Sequence, residues 1–169
     1  MKAGISLAKS NQTTLCYIER DGQYLMMHRI RKKQDINQDK WVGIGGHFEK
    51  DESPEECLLR EVCEETGLIL TDYRLRGVIT FISDRWQTEY MFLYTATAYE
   101  GTVGDCDEGV LEWIDKRKVA ELPIWAGDRI FFHLLEVRQT FFSLKLRYEG
   151  ETLAEAALDG HPLPVALDR

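Results

Sequence analysis

Cysteine chemistry is the first thing this chain lacks. Its four cysteines, Cys16, Cys57, Cys63 and Cys106, form no CxxC pair and show no zinc spacing, which excludes a cysteine-built metal site. Cys57 and Cys63 fall in one helical stretch and cannot easily bridge, so all four read as reduced thiols. Positive charge is also scarce. The balance of 21 Lys and Arg against 29 Asp and Glu leaves −8, which argues against a general affinity for nucleic-acid backbone. A small phosphorylated ligand stays open, because a bound cation reverses the local sign. No apolar run approaches a membrane span, and the N-terminal one, after Lys2, is broken by Lys9 and Ser10, too short for a signal peptide. These absences predict a soluble cytoplasmic protein with neither a nucleic-acid polymer nor a membrane as partner. With no repeat, low-complexity segment or composition break, residues 1–169 read as one domain, able to bury roughly 70% of its unfolded surface.

What is present is concentrated between Gly45 and Leu68, GGHFEKDESPEECLLREVCEETGL. Ser53-Pro54-Glu55-Glu56 is a capping box with proline at the first helical position, so a helix is expected over Pro54–Thr66. Gly67 supplies the left-handed residue that ends it. On this helix Glu61, Glu64 and Glu65 share a face, while Leu58, Leu59 and Val62 make an apolar arc for packing on a sheet. A solvated acidic helix would interleave lysines on that face, and this one does not. Such crowding makes sense around a divalent cation, since Mg2+ prefers carboxylate oxygens and shares its shell with phosphates. Arg60, four residues from both Glu56 and Glu64, can brace the cluster.

The flanking sequence predicts strands over Thr13–Ile18 and Gln23–Ile30 joined at Asp21-Gly22, then a polar loop into a short strand, Trp41–Ile44. The basic run Arg29, Arg31, Lys32 and Lys33 reads equally as phosphate-attracting or merely solvated. Paired strands follow over Arg74–Ile82 and Glu89–Tyr99, then a short strand over Val110–Ile114 and a helical turn within Lys116–Leu122. Gly127–Arg138 has the period of an amphipathic helix and Phe141–Tyr148 alternates as a half-buried strand. Residues 149–169 form a hairpin or a tail: Glu149-Gly150 favours a turn into Thr152–Leu158, whereas Ala154–Ala157 has helix propensity.

From Gly46 the central stretch (residues 46–68) fits G-x5-E-x7-R-E-U-x-E-E-x-G-U, U apolar, at Gly46, Glu52, Arg60, Glu61, Val62, Glu64, Glu65, Gly67 and Leu68. On these residues the chain resembles the Nudix hydrolases. The resemblance implies an α/β/α sandwich around a mixed sheet, and Mg2+, or Mn2+, as cofactor. It implies the Gly45 carbonyl, Glu61, Glu64 and Glu65 as metal ligands, with a further acid from a later loop. Glu108 is the best match for that acid and Asp107 the alternative. Glu61 or Glu65 would take the proton of the attacking water, with Arg60 in the catalytic set and paired to Glu52.

Beyond this box, most of the chain resembles the MutT branch, whose members act on oxidised purine nucleoside triphosphates. Leu25–Arg29 matches a strand that brings a basic residue, here Arg29, to the phosphates. Lys40–Gly46 matches the strand that enters the box. Trp125-Ala126-Gly127-Asp128 matches a Trp-x-x-Asp segment that stacks on the base and hydrogen-bonds its edge. The plainer readings of the same two residues are a core aromatic flanking a helix and an N-terminal helix acid. Gly46 and His47 complete the substrate side. Three positions depart from the pattern. Val42 replaces an asparagine that reads the base in some relatives, His47 replaces a common lysine, and Asp51 replaces glycine, which it can do because it tolerates left-handed backbone angles. No proline lies between Pro54 and Pro123, unlike ADP-ribose hydrolases, and Ser83-Asp84-Arg85 lacks the tyrosine of dinucleoside polyphosphate hydrolases. The resemblance therefore implies hydrolysis of a nucleoside triphosphate, such as 8-oxo-dGTP, to monophosphate and pyrophosphate. Another nucleoside diphosphate derivative, and a non-catalytic nucleotide-binding regulator, are the alternatives. The intact carboxylates oppose the second. The chain is expected to act as a monomer or homodimer on a small nucleotide.

Overall fold

A computed structural model describes residues 9–31 and 35–165; Lys32 and Lys33 of the basic run lie outside them. Strands β1 (Gln12–Arg20) and β2 (Gln23–His28) are joined by Asp21 and Gly22, both at positive φ (49° and 75°), as a tight hairpin requires. They pair only at Glu19–Tyr24 and Arg20–Gln23 and then part. Strand β3 (Trp41–Val42) takes over the vacated side of β2. It is shorter than the expected Trp41–Ile44 because the chain crosses to β1 after Val42. There Cys16 N donates to Ile44 O (2.6 Å), Thr14 N to Gly46 O (2.9 Å) and Phe48 N to Gln12 O (3.0 Å). This crossing sets the paired glycines against the edge of β1.

Helix α1 (Pro54–Thr66) follows, then β4 (Ile69–Ser83) and β5 (Glu89–Glu100), paired antiparallel. Strand β6 (Val110–Asp115) lies along the other side of β2, and a 3-10 turn over Val119–Glu121 leads to helix α2 (Asp128–Val137). Strands β7 (Phe142–Glu149), β8 (Thr152–Leu158) and β9 (His161–Leu163) close the sheet as antiparallel neighbours. β1 runs parallel to β5, and β4 to β7, so the sheet is mixed, with order β3-β2-β1-β5-β4-β7-β8-β9 and β6 beside β2. The tail is thus a hairpin and a further strand. The helix propensity of Ala154–Ala157 yields to pairing with β7, which buries Leu153 and Ala156.

Alternation along the strands builds two cores, one on each face. Cys16, Ile18, Leu25 and Met27 meet Leu58 and Val62 of α1. Tyr17, Tyr24 and Met26 meet Phe131, Phe132 and Leu135 of α2. The result is an α/β sandwich with a helix on either side of a mixed sheet. Among the described residues no helix is long and apolar enough to cross a membrane.

Candidate active site

Helix α1 begins as its sequence dictates. Ser53 Oγ accepts from Glu56 N, Glu56 Oε1 accepts from Ser53 N, and Gly67 closes the helix at φ 80°. The loop before it turns through Asp51 at φ 64°, the left-handed place usually held by glycine. Arg60 ties loop to helix. Its Nε and Nη2 donate to the two oxygens of Glu52 (2.7 and 2.8 Å), Nη2 donates to His47 O (3.1 Å), and Nη1 donates to Glu61 (2.8 Å) and Glu64 (3.2 Å). Glu52 therefore braces the loop. Its carboxyl is held below the ordinary range, chiefly by the Arg60 hydrogen bonds.

Glu61 and Glu65 project from α1 toward the paired glycines. The Glu61 carboxylate lies flat on Gly46, where a Cβ would come within 2.5 Å of it. Glu65 Oε2 accepts from Gly45 N (3.3 Å), and Glu65 also hydrogen-bonds to Glu108. Glu108, just ahead of β6, is held by Arg29 Nη1 (2.6 Å), whose Nε donates to Asp35 (2.6 Å). Arg29 is thus pinned between two acids that both line the cavity. Asp107, unlike Glu108, is absent from the cavity wall. Glu64 points away from the cavity, 58% exposed, with Arg60 as its ion-pair partner. Burial, then Glu108 and Glu61, push the Glu65 carboxyl well above the carboxylate range, and burial raises Glu61 despite Arg60.

Three acids pressed together with too little positive charge are what a divalent cation would relieve. Among the described residues no three His, Cys, Asp or Glu side chains already converge as a cage, so a shell here would draw on the Gly45 carbonyl and ligand oxygens. The available donors are all oxygen, which fits a hard divalent cation.

The carboxylates open into a cavity of about 1100 Å3 that continues across the α2 face of the sheet. Its far end is apolar, with Leu15, Phe81, Met91 and Trp125 among the wall residues. Trp125 is only 7% exposed. It packs edge-to-face on Phe81 and Tyr148 (centroids 5.3 and 4.8 Å), and the Lys40 ammonium sits 4.8 Å over its ring. It is a core aromatic with one border on the cavity. Asp128, at the first position of α2, is 8% exposed, and burial pushes its carboxyl up to about 8, against Arg129 and Lys40. His47 also lines the cavity; its Nδ1 meets Ser10 O (2.7 Å) and its Nε2 lies 4.0 Å from Glu89.

The Asp128 environment carries a consequence for stability. A carboxyl whose folded-state pKa is raised from 3.8 to about 8 keeps its proton longer in the native state, so stability declines as pH rises through that window. Asp128→Asn removes this contribution. The melting temperature of the variant relative to wild type should rise by roughly 10 °C between pH 5 and pH 8. Parallel melting-temperature profiles would mean that Asp128 is charged throughout.

Sequence reasoning missed Asn37, Lys40, Thr13 and Phe81, which all border this cavity or its tryptophan. Asn37 and Lys40 sit in a polar loop with no periodicity to read. Only the Asp35-x-Asn37 pair, suited to side chain-to-backbone turns, marks the place.

An acidic cluster against paired glycines, opening into an aromatic-walled cavity, is the arrangement of an enzyme for phosphorylated organic molecules. The NUDIX domain model matches residues 9–135, and the chain belongs to the Nudix hydrolase family. The family uses divalent metal ions. The chain is 34% identical over 122 residues to the uncharacterized Nudix hydrolase YvcI of Bacillus subtilis, covering 69% of this chain and 73% of that one. It is 29% identical over 153 residues to the oxidized purine nucleoside triphosphate hydrolase of Danio rerio, covering 89% and 95%. A MutT protein crystal structure from Bacillus halodurans superposes with a TM-score of 0.78 at 30% identity, covering 89% of this chain and 99% of that one.

Proposed function

We propose that this Nudix hydrolase cleaves a purine nucleoside triphosphate, preferably an oxidised guanine nucleotide such as 8-oxo-dGTP, to monophosphate and pyrophosphate. The observation that carries this reading is the single cavity joining Glu61, Glu65 and Glu108 to the apolar slot beside Trp125 and Asp128. The zebrafish relative, similar over most of the chain, supports the choice of substrate class.

In this reading Gly45, Glu61, Glu65 and Glu108 would hold Mg2+, for which Mn2+ could substitute, while Glu64, expected among the ligands, lies outside the cavity beside Arg60. A bound cation would supply Lewis-acid polarisation of the phosphoryl oxygens. Glu61 or Glu65 accepts the proton of the attacking water. Arg60 keeps Glu61 and the loop in register, and Arg29 steadies Glu108 at the phosphate end. Gly46 lets the chain approach the phosphates closely, and His47 borders them. The base lies in the slot between Trp125, Phe81, Leu15 and Met91. Asp128, whose carboxyl burial pushes up to about 8, presents an acceptor to its edge and, when protonated, a donor as well. A buried, hydrogen-bonded edge discriminates well, because the wrong base leaves polar groups unpaired.

The test compares kcat/KM for 8-oxo-dGTP, dGTP, dCTP and ADP-ribose in wild type and Asp128→Ala. The reading expects 8-oxo-dGTP to lead in wild type and its advantage to fall at least tenfold in the variant. A wild-type preference for ADP-ribose would overturn it.

A further inference from the structure

Position 42 offers the base slot no hydrogen bond, since Val42 is apolar. The loop before it brings in an amide from elsewhere. Asn37 lines the same cavity as Asp128 and Trp125. Its backbone is fixed at both ends: Asn37 N donates to Asp35 Oδ1 (3.0 Å), and Asn37 O accepts from Lys40 N (2.9 Å). Asp35 is itself clamped by Arg29 (2.6 Å).

The side chain is oriented as well. Trp125 Nε1 donates to Asn37 Oδ1 at 2.8 Å. An indole N–H can only donate, so the amide oxygen must face Trp125 and the NH2 must face away. Among the described residues that NH2 has no hydrogen-bond partner. Half-buried polar groups left unpaired on a cavity wall are groups that a ligand would satisfy.

An NH2 donates and cannot accept, so its complement on a base is an acceptor. Guanine-type purines carry a keto oxygen at position six, whereas adenine carries an amino donor there. We infer that Asn37, oriented by the Trp125 indole, selects purines bearing a 6-keto group over those bearing a 6-amino group, the task that Val42 cannot perform. The inference rests on the purine nucleotide reading given above.

The test uses dITP and dATP, which differ at the six-position while sharing everything on the sugar and phosphate side. The measurement is kcat/KM for both, with Mg2+, in wild type and Asn37→Asp. The aspartate is close in size and still accepts from Trp125 Nε1, but it has no N–H for the ligand. Wild type should favour dITP by at least tenfold, through KM more than kcat, and Asn37→Asp should abolish or reverse the ratio. If Asn37 merely held Trp125 in place, the ratio would survive the substitution, and that result overturns the inference alone. Equal use of dITP and dATP by wild type overturns it without any variant. Failure to turn over either triphosphate, or a preference for dCTP over both, removes the purine reading and this inference with it.

Discussion

Glu65→Gln is expected to lower turnover by about two to four orders of magnitude while the protein stays folded. Glu65 is 8% exposed and reaches both the Gly45 backbone and Glu108. The amide matches the carboxylate in volume but carries no charge for a cation and takes no proton from water. It also removes one acid from a crowded buried group, so the melting temperature should hold or rise. Glu64→Gln should cost far less, because Glu64 stands outside the cavity, paired with Arg60. Steady-state kinetics alongside thermal melts separate the two. Glu65→Gln with more than a tenth of wild-type turnover would remove Glu65 from the centre of the chemistry.

The two neighbouring glycines should respond to alanine in opposite ways. A Cβ at Gly45 would sit 1.8 Å from the Thr14 carbonyl oxygen, a backbone atom held in the β1 edge. Neither side can yield without breaking the bonds that tie residues 44–48 to β1. Gly45→Ala should therefore destabilise by about 3 kcal/mol or more, at the top of the range for overpacking. At Gly46 the three atoms nearest the Cβ all belong to the Glu61 carboxylate, the end of a flexible side chain. Gly46→Ala should fold with nearly wild-type stability and lose at least a hundredfold in kcat, because Glu61 is pushed from its place. Denaturant melts and kinetics on both variants check the contrast. Equal stability in the two would mean that the crossing from β3 to β1 is looser than its hydrogen bonds require.

The parts of the fold legible in sequence are those governed by local rules. Ser53, Pro54, Glu56 and Gly67 mark both ends of α1, and the structure places those ends at Pro54 and Thr66. The Asp21-Gly22 turn reads likewise, since both residues tolerate positive φ. The shared face of Glu61 and Glu65 follows from helical periodicity, whereas Glu64, expected on that face too, lies outside the cavity. What escapes is set by contacts distant in sequence. Residues 152–158 read either as a strand after the Glu149-Gly150 turn or, over Ala154–Ala157, as helix, and the edge that β7 offers decides for strand. Trp125 reads as a stacking platform, yet Phe81, Tyr148 and Lys40 enclose most of it, and they come from three separate elements. Arg29 reads as a basic residue near phosphate, and the acids that hold it, Asp35 and Glu108, come from two loops distant from each other in sequence. Asn37 is marked in sequence only by the Asp35-x-Asn37 pair, because the bond that orients it crosses 88 residues to Trp125.

The most direct test of the central claim is product analysis of 8-oxo-dGTP incubated with the purified protein, with Mg2+ and with excess EDTA. The account predicts 8-oxo-dGMP and pyrophosphate in equal amounts with Mg2+, no orthophosphate, and no turnover in EDTA. Release of orthophosphate with 8-oxo-dGDP, or undiminished turnover in EDTA, would contradict it.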